Sequence, residues 1–185
     1  MSEKLAATPF WFLRHGETDW NAQYLSQGNV DIPLNAKGVA QAEAAAQRLR
    51  NRGIASIVAS PLSRARDTAD AVAAVLGREV MLDEGLREVS FGVMEGQVMS
   101  TWFDDWVAGR FTPEGAETFL SLRARAVSAI NRALAKPAPV LVVAHGALFR
   151  ALRAEMGLEP NIRTPNATPY WCEPATPAWS LVEAS

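Results

Sequence analysis

Three short apolar runs, each breaking off in a polar cluster, constrain this chain more than any other feature. Residues 9–13 run into Arg14-His15-Gly16, residues 54–59 into Ser60-Pro61-Leu62-Ser63-Arg64, and Val140-Leu141-Val142-Val143-Ala144 into His145-Gly146. Apolar runs this short, without polar alternation, predict strands buried on both faces, as in a parallel sheet covered by helices.

The stretches between them carry helical patterns. Asn35 caps a predicted helix over 36–51 that buries Val39, Ala42, Ala46 and Leu49, and Gly53 stops it. Pro61 suits the first turn of a helix over 61–76, with Leu62, Ala65, Ala69, Val72 and Leu76 as its stripe and Gly77 as its end. Trp102, Phe103 and Trp106 line one side of a short helix. A longer one over 115–135 keeps Phe119, Leu122, Ala126, Ile130 and Leu134 in phase until Pro137 and Pro139, and a last helix covers 147–156. A further strand is expected over 79–82. Residues 17–34 and 84–97 read as loops, from breakers such as Asn21, Gly28, Asn29 and Pro33 in the first and Gly85, Gly92 and Gly96 in the second. Five prolines between 160 and 177 exclude a helix from the tail and leave extended pieces over 169–172 and 178–182. Alternating strands and helices predict an α/β fold, a three-layer α/β/α sandwich on a largely parallel sheet, as a single domain over 1–185.

Charge narrows the function. The 18 basic and 20 acidic residues of this 185-residue chain give a net charge of -2, with no basic excess for nucleic acid or an anionic membrane. Any anion-binding charge must be local. The acidic pair Asp104-Asp105 reads as a solvated face. The single cysteine, Cys172, cannot form an internal disulfide, and the N-terminal segment has no apolar h-region, so a cytoplasmic protein is expected.

In open α/β sheets ligands bind outside the carboxyl ends of the strands. There the three polar clusters converge, bringing two histidines and two arginines around one volume. Guanidinium forks match phosphate oxygens. A neutral imidazole can attack phosphorus, and a second imidazolium can stabilise the equatorial oxygens. A leaving alkoxide needs a proton, for which the glycine-rich loop offers Glu84, Glu88 and Glu95.

Five ordered segments now carry a resemblance. Arg14-His15-Gly16-Glu17-Thr18-Asp19-Trp20-Asn21, Pro33-Leu34-Asn35-Ala36-Lys37-Gly38, Ser60-Pro61-Leu62-Ser63-Arg64-Ala65 with Thr68-Ala69, Leu86-Arg87-Glu88 with Phe91-Gly92 and Glu95-Gly96, and Val143-Ala144-His145-Gly146 resemble the histidine phosphatase superfamily, in its phosphoglycerate mutase-like branch. The resemblance implies His15 as the phosphorylated nucleophile, with Arg14, Arg64 and His145 holding the phosphoryl oxygens. It implies Glu88 as acid and then base, with Asn21 contacting the phosphoryl group or substrate and Gln27 and Gly28 lining the pocket mouth. It implies no metal and no cofactor, and a phosphorylated small molecule as partner.

The family divides between mutases and phosphatases. Its mutases carry a lysine- and arginine-rich insert after the Glu-Gly loop. In residues 97–112 only Arg110 is basic, against Asp104 and Asp105, so a second phosphate would find little charge there. Hydrolysis of a phosphate monoester is therefore expected, with mutase-type transfer and a non-catalytic phosphate-binding module as alternatives.

Overall fold

The computed structural model describes residues 3–185; Met1 and Ser2 of the N-terminal segment lie outside the described residues. The elements run β1 (Phe10–Arg14), α1 (Asp19–Ala22), α2 (Ala36–Leu49), β2 (Ser56–Ala59), α3 (Ser63–Leu76), β3 (Val80–Leu82), α4 (Thr101–Val107), α5 (Phe119–Leu134), β4 (Val140–Ala144), α6 (Gly146–Glu155), β5 (Pro169–Glu173) and β6 (Ser180–Glu183). They form one six-stranded sheet in the order β3-β2-β4-β1-β5-β6. The first four strands of that order pair in parallel, and β5 and β6 add antiparallel.

Successive strand residues point to opposite faces, and the two cores divide accordingly. Phe10, Phe12, Val140, Val142 and Ala144 pack with α4, α5 and α6. Trp11, Leu13, Ile57, Ala59, Leu141 and Val143 pack with α2 and α3 on the other side. This is the expected α/β/α sandwich. Phe12 of β1 stacks on Phe149 of α6 at 4.0 Å between ring centroids, fixing α6 over the end of the sheet. Both tail tryptophans serve the core: Trp171 lies against Trp11 and Trp179 against Phe10.

The structure corrects the sequence reading in several places. Val39 is 47% exposed, because the buried stripe of α2 is Gly38, Ala42, Ala45, Ala46 and Leu49. Residues 17–34 contain α1, whose N-cap Thr18 forms a reciprocal capping box with Asn21. Asn21 thus belongs to a helical turn and is no breaker. Helix α3 begins at Ser63, so Pro61 precedes it, and α5 begins at Phe119 behind its N-cap Thr118. The 84–97 loop holds two 3-10 turns, Glu84–Leu86 and Gly92–Met94.

Candidate active site

Register brings the two histidines together. In the parallel pairing of β1 with β4, Arg14 lies opposite Ala144, so His15 and His145 leave adjacent strands side by side. The His15 N–H donates to the Ala144 carbonyl at 3.1 Å, and the ring centroids are 5.3 Å apart. On the far side of β4, the Ser60 N–H donates to the Val143 carbonyl at 3.0 Å, and Ser60 Oγ lies 2.7 Å from His145 Nε2. Gly16 is required for space, since a Cβ there would collide with the Gly38 backbone, and its φ is not left-handed. Its N–H donates to Thr68 Oγ1 at 3.0 Å.

Hydrogen bonding selects the tautomer of His15. Nδ1 is 2.7 Å from the Gly16 carbonyl oxygen, which only accepts, so Nδ1 carries the proton and Nε2 keeps its lone pair. Burial, then the Arg64 and Arg14 charges, hold this imidazole well below 6.5. Burial, then the charges of Arg64 and Arg14, lower His145 in the same way. Both rings are therefore neutral at pH 7. No carboxylate stands among the charges acting on His145, and the arginines disfavour a positive charge on it. Ser60 Oγ accepts from the Leu62 N–H, and in the Nδ1–H tautomer of His145 it donates its own proton to Nε2. That assignment leaves Nδ1–H of His145 as a buried donor.

The arginines are anchored and still underused. Arg14 Nη1 donates to the Thr164 carbonyl at 2.6 Å. Arg64 donates to the carbonyls of Gly28 at 2.7 Å and Val30 at 2.9 Å. Burial and then the neighbouring Arg163 and Arg150 bring Arg14 down to about 9, and burial brings Arg64 down to about 10. Arg14 Nε, Arg64 Nε, Arg150 Nε and His145 Nδ1 are buried without a partner in the protein; Asn29 Oδ1 is the one other such side-chain atom among the described residues. Buried donors are nearly always satisfied, so the Nε atoms of Arg14, Arg64 and Arg150, whose residues line one cavity with His15, and His145 beside His15, mark a place for an acceptor-rich anion.

That cavity, of about 50 Å³, is lined by Arg14, His15, Asn21, Gln27, Gly28, Arg64, Glu88 and Arg150, among others. Of the three candidate acids, Glu88 lines it. Glu88 Oε1 accepts from the N–H groups of Val89 and Leu148, and Oε2 from Ala147, so the first turn of α6 holds the carboxyl. Glu95 braces the loop by accepting from the N–H groups of Asn29 and Phe91, and Glu84 is exposed and paired with Arg87. The Asn21 amide oxygen accepts from the Thr18 N–H and from Asn166 Nδ2, each at 3.2 Å, which leaves its NH2 as a free donor. Gln27 and Gly28 are buried in the cavity wall, deeper than the mouth position expected for them. Among the described residues, no three or more His, Cys, Asp or Glu side chains gather as a metal site, and no helix is long and apolar enough to cross a membrane.

A larger cavity of about 420 Å³ shares Arg14, Asn21, Phe103 and Arg150 with it and is also lined by Tyr24, Asp104 and Arg163, among others. Sequence reasoning did not single out Arg150 or Arg163. A signal existed for Arg150: it lies three residues after Ala147, on the helix face whose first turn holds Glu88. Arg163 sits in the proline-rich tail, where no periodicity could place it. Asp104 is exposed, as expected of a solvated face, and also lines this outer cavity; Arg110 pairs with Asp105.

A neutral imidazole with a free Nε2, ringed by guanidinium and backbone donors at the carboxyl edge of a parallel sheet, is the site of a phosphoryl-transfer enzyme of the phosphatase and mutase kind. The chain belongs to the histidine phosphatase superfamily (branch 1), whose profile matches residues 10–182. It is 36% identical to a probable phosphoglycerate mutase GpmB of Proteus mirabilis, over 80% of this chain and 74% of that one. Among solved structures it resembles a mycobacterial glucosyl-3-phosphoglycerate phosphatase complexed with VO3 at a TM-score of 0.81, with 30% identity over 97% of this chain and all of the other. It also resembles a phosphoserine phosphatase from Entamoeba histolytica in complex with 3-phosphoglyceric acid, with a TM-score of 0.80, 25% identity and 96% of each chain covered.

Proposed function

We propose that the protein hydrolyses small phosphate monoesters through a phosphohistidine on His15. The carrying observation is the set of three buried, unpartnered guanidinium donors, from Arg14, Arg64 and Arg150, in the cavity that a neutral His15 imidazole lines. His15 Nε2 attacks phosphorus in line with the ester oxygen, the P–O bond breaks, and the departing alkoxide takes a proton from Glu88. Glu88 Oε2 accepts only one backbone bond, from Ala147, and so has capacity to carry that proton. Water then attacks the phosphohistidine, Glu88 recovers a proton from it, and the P–N electron pair returns to Nε2. Arg14, Arg64 and His145 Nδ1–H stabilise the equatorial oxygens, and the Asn21 NH2 and the wall formed by Gln27 and Gly28 orient the group. Guanidiniums provide the charge stabilisation, so the reading is of a metal-independent acid phosphatase. A cytoplasmic location and a single domain over 1–185 belong to the same proposal.

The segment after the glycine-rich loop favours hydrolysis over mutase transfer. It folds as α4, with Phe103 and Trp106 in the core and Arg110 paired outside, so it forms no cationic lid over the phosphohistidine. Two related structures covering nearly the whole chain are named phosphatases. One assay decides. With 3-phosphoglycerate and a 2,3-bisphosphoglycerate primer, the protein is expected to release inorganic phosphate from some monoester and to form little 2-phosphoglycerate, with activity persisting in chelator. Rapid mutase turnover would overturn the phosphatase reading. Ligand binding without phosphate release across a broad panel would establish the non-catalytic one.

A further inference from the structure

The Gly16 carbonyl that sets the tautomer of His15 has a partner on its own peptide unit. That unit carries the Gly16 C=O and the Glu17 N–H, which point in opposite directions across a trans peptide bond. The carbonyl accepts from His15 Nδ1 at 2.7 Å, and the N–H donates to Gln41 Oε1 at 2.8 Å. A continuous run of hydrogen bonds therefore leads from a side-chain amide on α2, through one peptide, to the imidazole. The preceding peptide is held separately. Its N–H, from Gly16, donates to Thr68 Oγ1 at 3.0 Å, whose own proton goes to the Arg64 carbonyl at 2.7 Å. Its C=O, from His15, accepts from Asn166 Nδ2 at 3.0 Å.

The sequence builds this contact into α2. Gln41 stands three residues after Gly38, one turn on along the same helix face. Gly38 lets that face come down on the chain leaving β1, since a Cβ there would collide with the Glu17 backbone. One turn later Gln41 reaches the Glu17 N–H. The next peptide is held by the start of the same helix, where the N–H of the N-cap Asn35 donates to the Glu17 carbonyl at 3.0 Å. Gln41 is half-buried beside the buried Ala42 and Ala45, and it lines neither the inner nor the outer cavity. It acts on the site only through backbone.

Charge explains why the run matters. Attack by Nε2 forms the N–P bond and leaves the ring positively charged, with Nδ1 still protonated. Burial and the Arg64 and Arg14 charges oppose that positive charge, and the hydrogen bond to the Gly16 carbonyl favours it. Hydrogen bonds in series polarise one another, so a peptide whose N–H is already donating offers a more negative carbonyl oxygen. We propose that Gln41 is a positioning residue for the nucleophile: through the Gly16–Glu17 peptide it holds His15 in the Nδ1–H tautomer and supports the positive charge that the ring acquires on phosphorylation. The proposal rests on the reading of His15 as the nucleophile and adds a side chain that sustains it from outside the cavity.

Two readouts test this role, and one of them needs no turnover. Gln41→Met and the smaller Gln41→Ala remove the acceptor, whereas Gln41→Glu keeps one. Pre-steady-state release of p-nitrophenolate from p-nitrophenyl phosphate reads the attack on phosphorus, because this leaving group needs no proton. Its maximal rate should fall roughly 3- to 10-fold in Gln41→Met and Gln41→Ala, the worth of one neutral hydrogen bond, with little change in the substrate concentration giving half that rate. Gln41→Glu should stay within about twofold of the unaltered protein, since a carboxylate oxygen also accepts. In the resting protein, nitrogen-15 NMR of the two histidines, assigned with His15→Ala, reads the tautomer directly. The Nδ1 and Nε2 shifts of His15 should draw together in Gln41→Met and Gln41→Ala, as the Nε2–H tautomer gains population, and stay apart in Gln41→Glu. His15 shifts unmoved in both acceptor-free variants, an unchanged rate in both, or a Gln41→Glu protein as slow as Gln41→Met, overturns the proposal. No p-nitrophenolate release from the unaltered protein would remove the phosphatase reading instead, and the shifts would still decide whether Gln41 sets the tautomer.

Discussion

Glu88 is positioned by backbone: three N–H groups, two of them from the first turn of α6, fix its carboxyl at the wall of the cavity that holds His15. If it donates the leaving-group proton, its importance depends on how basic the leaving group is. Glu88→Gln should lower kcat on an alkyl phosphate by about 100- to 10,000-fold, the usual span for general acid catalysis, and lower it far less on p-nitrophenyl phosphate. Steady-state kinetics on the two esters checks this; equal losses would assign Glu88 a merely structural role. At this scale the sequence is informative where chemistry comes directly after a strand. Arg14, His15 and His145 lie at strand ends, and β1–β4 register carries the two histidines together. The choice among Glu84, Glu88 and Glu95 is open in the residues themselves, because all three share one irregular loop. Packing against α6 distinguishes them, and that contact joins residues far apart in sequence.

Helix α4 shows what an element adds. Trp102, Phe103 and Trp106 are legible as one face of a short helix. Phe91 then gathers Trp102, Phe103 and Trp106 edge-on, and Trp106 continues to Phe119 of α5. Trp106 is fully buried, and its Nε1–H donates to the Glu117 carbonyl at 2.9 Å. Trp106→Ala should therefore cost about 3–5 kcal/mol of stability, read from urea denaturation; a loss below about 1 kcal/mol would mean that α4 is not built into the core. Phe103, from the same helix, lines both cavities, so one face of α4 serves core and site together. The strands are readable nearly to the residue because runs buried on both faces have sharp chemical ends. Helix α1 is not, since a single turn offers no periodicity; the only hint is the capping pair Thr18 and Asn21. Val39 is misplaced when apolarity alone draws it to the core, whereas the alanines and Gly38 allow α2 close against the β1 exit and the sheet.

Taken whole, the molecule gathers four arginines around neighbouring cavities despite a net charge of -2. Arg14, Arg64 and Arg150 line the inner cavity, and Arg163 joins Arg14 and Arg150 in the outer one. Both histidines are buried beside this charge and held neutral, well below the 6.5 expected of them in the unfolded chain. Below that pH the unfolded chain binds more protons than the folded one, so stability must fall as pH falls, and the loss levels off only once the folded-state values are passed. Each histidine contributes a slope of at most about 1.4 kcal/mol per pH unit in that window and none above it. Chemical denaturation at pH 7.5 and at pH 5.5 should show the loss, and a His15→Ala, His145→Ala double variant should show less of it; equal sensitivity in both proteins would mean that the imidazoles are not held neutral. The three-layer architecture is legible from the alternation of elements. The outer cavity is not, because its walls come from α4, α6 and the proline-rich coil, whose meeting is decided only by the complete tertiary packing.

The central claim is that phosphate passes through His15. Rapid acid-free quenching of the protein during turnover of radiolabelled p-nitrophenyl phosphate, followed by peptide mapping, tests it directly. A phosphoramidate label, stable to base and labile to acid, is expected on the peptide containing His15, decaying into inorganic phosphate and absent from His15→Ala. Label undiminished in His15→Ala, or steady phosphate release from the unaltered protein with no label on that peptide, would contradict it.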